Sequence, residues 1–227
     1  MNKRKLLFLC SGGGGNLRFI QQATLRGWLQ GWSLVAVIAD RECGAIEYAR
    51  AASISTACID FTTNHQNDLL EVVKRQQPDI IITTVHRILR APFLDAYHGR
   101  LLNLHYSLLP AFGGTIGTRP VQAALDYGVC LAGVSVHLVD ETLDGGRPQA
   151  QVAVSVVQDD DLVGLMDVIF RAGCIALYTA LMNKNDPVKD NWKGRALLIK
   201  DRAALLNPGI DLPPMLSDEQ FWRTLKQ

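Results

Sequence analysis

An amide, an imidazole and a carboxylate stand where they could carry out acyl transfer. Asn103 and His105 flank Leu104, and Asp144 follows in the segment Asp140-Glu141-Thr142-Leu143-Asp144-Gly145-Gly146. Leu101–His105 reads as a short buried strand, and side chains alternate faces along a strand, so Asn103 and His105 project from one face. They sit where that strand gives way to a loop, the end at which open α/β sheets place their ligands. In acyl transfer to an amine, a tetrahedral intermediate gathers negative charge on oxygen. Asn103 can donate a hydrogen bond to that oxygen, and a protonated His105 can stabilise it. A carboxylate beside the ring would fix its orientation and favour its charged form, the task open to Asp144. A lone strand histidine is more often a buried structural residue. Asn103 on the same face, the Ser107-Leu108-Leu109-Pro110 turn and the acidic glycine loop lift His105 above that reading. His137, two residues after Ser135 on another expected strand, reads as structural.

A second stretch with chemistry is Ser11-Gly12-Gly13-Gly14-Gly15-Asn16-Leu17, between the first expected strand and the first helix. Glycines let the backbone approach an anion, and a helix N-terminus supplies free N–H groups and a positive dipole. A phosphate is the natural guest. Leu17 stands where the third glycine of the dinucleotide fingerprint belongs, and no Lys-Ser/Thr follows, so neither a nicotinamide-binding loop nor a Walker loop is present.

These residues need a scaffold, and the first 110 positions supply its rhythm. Strands fit Leu6–Cys10, Leu34–Ala39, Thr56–Ile59, Asp79–Thr84 and Leu101–His105, separated by amphipathic stretches at Leu17–Arg26, Ala45–Ala52 and Asp68–Gln76. Strands alternating with helices make βαβ units, so the expectation is a Rossmann-like, mostly parallel twisted sheet flanked by helices. After a Gly-, Thr- and Pro-rich loop at Pro110–Pro120 and a short helix to Tyr127, Val134–Val139 and Gln151–Val156 read as two strands, the antiparallel C-terminal part. Asp159-Asp160-Asp161 can cap a helix running to Met182. Beyond Asn183 the pattern is weak, with a short helix expected over Ser217–Lys226. The expected organisation is one domain over 1–182 and a C-terminal extension over 183–227.

Totals narrow the function. Lys and Arg number 23 against 22 Asp and Glu, which gives no electrostatic footprint for nucleic acid or a membrane surface. The 5 cysteines are scattered and odd in number, which fits reduced thiols in a cytoplasmic protein and neither a disulfide frame nor a zinc site.

Ser11–Leu17, Arg87-Ile88-Leu89, the run Gly99–Pro110, Ser135-Val136-His137 and Leu143-Asp144-Gly145-Gly146 occur in the order found in the folate-dependent formyltransferases, and residues 5–182 resemble that family. The nearest branch acts on phosphoribosylglycinamide (GAR) in purine synthesis. The resemblance implies the formyltransferase fold, 10-formyltetrahydrofolate as formyl donor, no metal, and Asn103, His105 and Asp144 as the catalytic trio. It also implies that Arg87, Ile88, Leu89, Asn103 and the loop Asp140, Glu141, Thr142, Leu143 hold the pterin. Gly14, Gly15 and Asn16 match positions that grip the acceptor's phosphate. The implied partner is a phosphorylated small-molecule amine, with self-association as a homodimer left open. Departures fall on expected substrate contacts: Tyr106 replaces a proline, Asn64 replaces an arginine that meets the folate tail, and Arg171-Ala172-Gly173-Cys174 occupies the stretch of a ribose-binding Glu. Alternatives are a different amine acceptor, such as an amino sugar nucleotide, or a folate-binding protein without turnover.

Overall fold

The alternation of apolar runs and amphipathic stretches does produce a parallel sheet. The computed structural model of the chain describes residues 3–62, 66–185 and 193–225. Two units emerge from it, one of Met1–Asn103 with Leu138–Gly146 and one of Leu104–His137 with Arg147–Gln227. Asn64, His65, Trp192 and Lys226 lie outside the described residues.

In the first unit the chain runs β1 (Arg4–Cys10), α1 (Gly15–Leu25), β2 (Trp32–Ala39), α2 (Gly44–Ala51), β3 (Ser55–Cys58), α3 (Gln66–Gln76), β4 (Ile80–Thr84), α4 (Phe93–Ala96) and the start of β5 (Leu101–His105), which belongs to this unit as far as Asn103. The parallel order is β3-β2-β1-β4-β5, with Phe8 opposite Val37 on one side and Ile82 on the other. Helices cover both faces of such a sheet, which is why Leu6–Cys10 reads as an unbroken apolar run rather than an alternating one. All five of those residues are buried. Leu7, Leu9, Ile38, Leu69, Val73, Ile81, Phe93 and Leu101 share one core cluster. Each such side chain stabilises the fold by about 1.5–3 kcal/mol relative to exposure.

The second unit holds α5 (Arg119–Tyr127), β6 (Leu131–Leu138), β7 (Pro148–Ser155), α6 (Leu162–Asn185), β8 (Arg195–Ile199), β9 (Arg202–Asn207) and α7 (Glu219–Thr224). Its strands are antiparallel in the order β6-β7-β9-β8. Pro120 stands in the first turn of α5, where its missing N–H costs nothing, and Gly128 closes the helix with φ 78°. Asp161 caps α6, accepting from the Gly164 N–H at 2.7 Å. By composition alone α6 is apolar enough to cross a bilayer, but two thirds of that stretch is buried and it packs on β7 as a core helix.

The boundary expected at residue 182 falls inside α6, and the residues beyond it extend the antiparallel sheet through β9. Further stitching runs from α7 to α6. Arg171 is ion-paired with Glu219, its Nη2 lying 2.8 Å from Oε2, and its guanidinium lies 5.3 Å from the Trp222 ring centroid. Lys200 Nζ donates to Asp167 at 2.6 Å. The terminal helix starts after Asp218, which caps it by accepting from Gln220 N, rather than at Ser217, which ends a 3-10 turn over Pro214–Ser217.

Candidate active site

In the first unit the strand order reverses between β1 and β4, and the crevice outside the carboxyl ends at such a reversal is where open sheets bind ligands. Two segments leave the strands there, Ser11–Gly14 after β1 and Val85–Arg90 after β4. A hydrogen bond ties them, His86 N donating to Ser11 Oγ at 3.2 Å. Asp40, which follows β2, joins the same corner. Burial pushes its carboxyl upward, but hydrogen bonds from Arg41 and Ser11 outweigh that and hold it below the ordinary aspartate value.

Of Gly12, Gly13 and Gly14, only the last is demanded by space. Its φ is +79°, and a Cβ there would sit 2.9 Å from Ala45 Cα and Cβ, whereas one at Gly12 or Gly13 would meet nothing. Gly14 is the N-cap of α1, Gly15 and Asn16 form its first turn, and no acidic residue occupies that turn. The end of α1 is therefore electrostatically open to an anion.

Asn103 closes the first unit, half-buried at the end of β5 and in register with Thr83 of β4. Asp144 belongs to the same unit. Its loop starts beside β5, where Val139 N donates to Leu101 O at 2.9 Å. Two turns shape the loop: Asp140 Oδ1 accepts from Thr142 N at 2.8 Å, and Gly145 N donates to Thr142 O at 3.1 Å. Asp144 itself has φ 53°, a left-handed conformation that aspartate tolerates better than most residues, and it is half-buried. Glu141, Thr142 and Leu143 are exposed. Arg87 and Ile88 are exposed as well, while Leu89 turns into the core at 6% exposure.

His105 belongs to the second unit and is buried. Its Nε2 lies 3.2 Å from the Phe112 carbonyl oxygen, which also accepts from Thr115 Oγ1 at 3.1 Å. Phe112 takes φ 55°, so the Pro110–Pro120 loop turns sharply at that carbonyl. Ser135 orders the turn after His105. Its hydroxyl donates to Ser107 O at 2.8 Å and accepts from Leu109 N at 3.0 Å and Gln151 Nε2 at 2.8 Å. His137 is buried, at 2% exposure.

Tyr106, which stands where the resemblance expects a proline, lies with Leu104 against α6, where a Cβ on Gly173 would come 3.3 Å from Tyr106 Cε1 and 3.1 Å from Leu104 Cδ2. The tyrosine and that glycine are one packing unit, so the change from proline is absorbed by the helix. Arg171 is likewise committed to Glu219 and Asp167. Among the described residues, no three His, Cys, Asp or Glu side chains are placed to hold a metal ion.

Sequence reasoning points to Asn103, His105, Asp144 and the glycine loop, and is silent on the side chains that are hydrogen-bonded to these segments. Gln66, Ser135 and Gln151 are hydrogen-bonded to the backbone of the site segments. Only the Ser135–His137 spacing hints at any of the three.

The chain has relatives among known proteins, by sequence and by backbone. Residues 4–181 match the formyl transferase family model. A phosphoribosylglycinamide formyltransferase of Mycobacterium tuberculosis is 38% identical over 163 residues, 69% of this chain and 74% of that one. The crystal structure of phosphoribosylglycinamide formyltransferase from Brucella melitensis superposes with a TM-score of 0.74 at 33% identity, covering 82% of this chain and 97% of that one. The corresponding protein of Bacillus halodurans gives a TM-score of 0.76 at 26% identity, with 82% and 98% covered. The family model spans most of the chain, and a relative of that activity is 38% identical to it: the chain belongs to the formyl transferase family.

Proposed function

We propose that the protein moves the formyl group of 10-formyltetrahydrofolate onto the primary amine of phosphoribosylglycinamide. The observation that carries this reading is the pair of tied loops at the β1/β4 reversal, an open helix end beside a partly apolar, exposed segment. In this reading Gly14, Gly15 and Asn16 take the acceptor's phosphate, with backbone N–H groups and the dipole of α1 as donors. Arg87, Ile88, Leu89 and the loop Asp140–Leu143 take the pterin. The donor is a second substrate rather than a resident cofactor.

The amine nitrogen attacks the formyl carbon, and the carbonyl electrons move to oxygen. Asn103 and the imidazolium of His105 hydrogen-bond that oxygen, and Asp144 orients the ring. The amine then loses a proton, the bond from carbon to the folate nitrogen breaks, and that nitrogen ends protonated. The products are a formamide and tetrahydrofolate. Nε2 of His105 lies 3.2 Å from the Phe112 carbonyl in the free protein, and with the other ring N–H held by Asp144 it exchanges that carbonyl for the developing oxyanion when the substrates bind.

One observation favours a different acceptor. The stretch in which the family holds the ribose of GAR carries Arg171, and its guanidinium is already paired. Tetrahydrofolate release, followed by absorbance with purified protein, 10-formyltetrahydrofolate and either GAR or a panel of amines, separates the two. Turnover with GAR supports the purine reading; turnover only with another amine replaces the acceptor and keeps the chemistry. His105→Ala should lower turnover at least about 100-fold with the fold intact. Wild-type turnover in that variant would overturn the mechanism.

A further inference from the structure

We infer that Gln66 is a positioning residue for folate binding, a buried amide clamp that sets the backbone of the segment Arg87-Ile88-Leu89. The inference rests on the reading of that segment as the pterin cradle.

Gln66 is the first residue of α3 and is 2% exposed. Its Nε2 donates to Ile88 O at 2.8 Å and to Phe61 O at 3.2 Å, while its Oε1 accepts from Arg90 N at 2.8 Å. One side chain therefore binds the chain on both sides of Leu89 and ties it to the segment after β3. A buried amide that satisfies two donors and its acceptor on backbone groups is costly to replace, because every partner loses its bond at once. Other attachments of the segment are His86 N on Ser11, Arg90 O accepting from Leu94 N at 3.1 Å, and, among its side chains, Leu89 in the core cluster. With positions 86, 88, 89 and 90 all fixed from the protein side, the Ile88 side chain is still 53% exposed. Rigid backbone behind an exposed apolar face is what a flat heterocycle needs: backbone groups to read its edge and little ordering on binding.

The chemistry of the clamp gives it a signature that a plain core residue lacks. In Gln66→Glu at about pH 8, a carboxylate would face the carbonyls of Phe61 and Ile88 and repel both. Protonated at about pH 5.5, the same group regains an O–H donor for Ile88 O and keeps an acceptor for Arg90 N. Gln66→Leu, close in size, recovers nothing at either pH.

The test measures tetrahydrofolate binding by calorimetry under anaerobic conditions, each variant referred to wild type at the same pH, with amide hydrogen exchange of residues 86–90 measured without ligand. At about pH 8 both variants should bind folate about tenfold or more weakly and exchange faster at 86–90, with the KM for the amine acceptor little changed. At about pH 5.5 the Glu variant should return towards wild type and the Leu variant should not. Wild-type affinity in Gln66→Leu, or a Glu variant insensitive to pH, overturns the inference. Unchanged exchange at 86–90 overturns the clamp itself, whatever the ligand. If wild-type protein binds no folate while exchange responds as stated, the folate reading fails and the role of Gln66 in folate binding fails with it.

Discussion

Replacing Gly146 with alanine tests how the Asp144 loop is held. A Cβ at that position would lie 1.8 Å from Leu138 O and 2.8 Å from Leu138 C, both main-chain atoms. Real Cβ atoms do not come within 3.0 Å of such neighbours, so the two strands of backbone that close the loop must part by about 1.2 Å. The loop they close carries Asp144 at φ 53°. An overpacking clash of this kind typically costs about 1–3 kcal/mol, and a displacement of about 1 Å in a catalytic group can cost about 100-fold in rate. Gly146→Ala should therefore lose about 100-fold in kcat with a modest drop in Tm and an unchanged far-ultraviolet circular dichroism spectrum. Gly145→Ala is the matched control. Its Cβ would meet Thr142 Cγ2 at 2.5 Å and Thr142 Cβ at 2.7 Å, atoms of an exposed side chain on a loop that can yield. That variant should lose less than about tenfold. Tetrahydrofolate release under saturating substrates reads both. A Gly146→Ala protein with wild-type kcat would show that loop closure does not position Asp144. Equal losses in the two variants would show that the loop responds to any added bulk.

Two further outcomes follow from named contacts. Ser135→Ala strips the shared partner from Ser107 O, Leu109 N and Gln151 Nε2 in a fully buried site, so it should cost about 1–3 kcal/mol in denaturant unfolding and lower kcat; no change in either would deny the hydroxyl its role in shaping the turn after His105. Asp160, nearly buried, is held below its ordinary value by the Arg202 guanidinium against a smaller upward push from burial. Its folded value is depressed, so the stability it supplies is present above about pH 4 and is lost as pH falls through the lower folded value. Asp160→Asn should lower Tm by about 6–12 °C at neutral pH, the equivalent of about 3 kcal/mol, and the gap to wild type should close in acid. A gap that never narrows as the pH is lowered would mean the loss is packing rather than charge.

The first unit was legible because a doubly covered parallel sheet writes its strands as apolar runs. Every expected strand to His105 is present, with β1 two residues longer at its start because Arg4 and Lys5 sit on an exposed rim. Asp161 could be expected to cap α6 because an aspartate before an apolar periodic stretch has few other roles. The β8–β9 hairpin was not legible. Its two-residue turn is Lys200-Asp201, with φ 50° and 62°, a geometry that normally announces itself through Asn-Gly or Asp-Gly. With neither glycine nor asparagine in the turn, and with Leu198 and Leu205 exposed, both the turn signal and the inward-outward alternation are missing.

The same division runs through the active site. The side chains proposed to react are conspicuous because their types are scarce and their spacing puts them on one face of one expected strand, as with Asn103 and His105. Those that hold them act on main-chain groups, and main chain leaves no trace in composition. Gln66 reaches Ile88 and Arg90 across more than twenty positions, and Ser135 reaches Leu109 across twenty-six. Gly146 matters because of a carbonyl eight residues earlier. The doublet Gly145-Gly146 looks like a flexible turn in sequence, yet the second glycine is required by close approach to Leu138 and not by its φ. Flexibility is thus the wrong inference for that position: Gly146 allows tight closure, and tight closure is what keeps the strained Asp144 backbone in place.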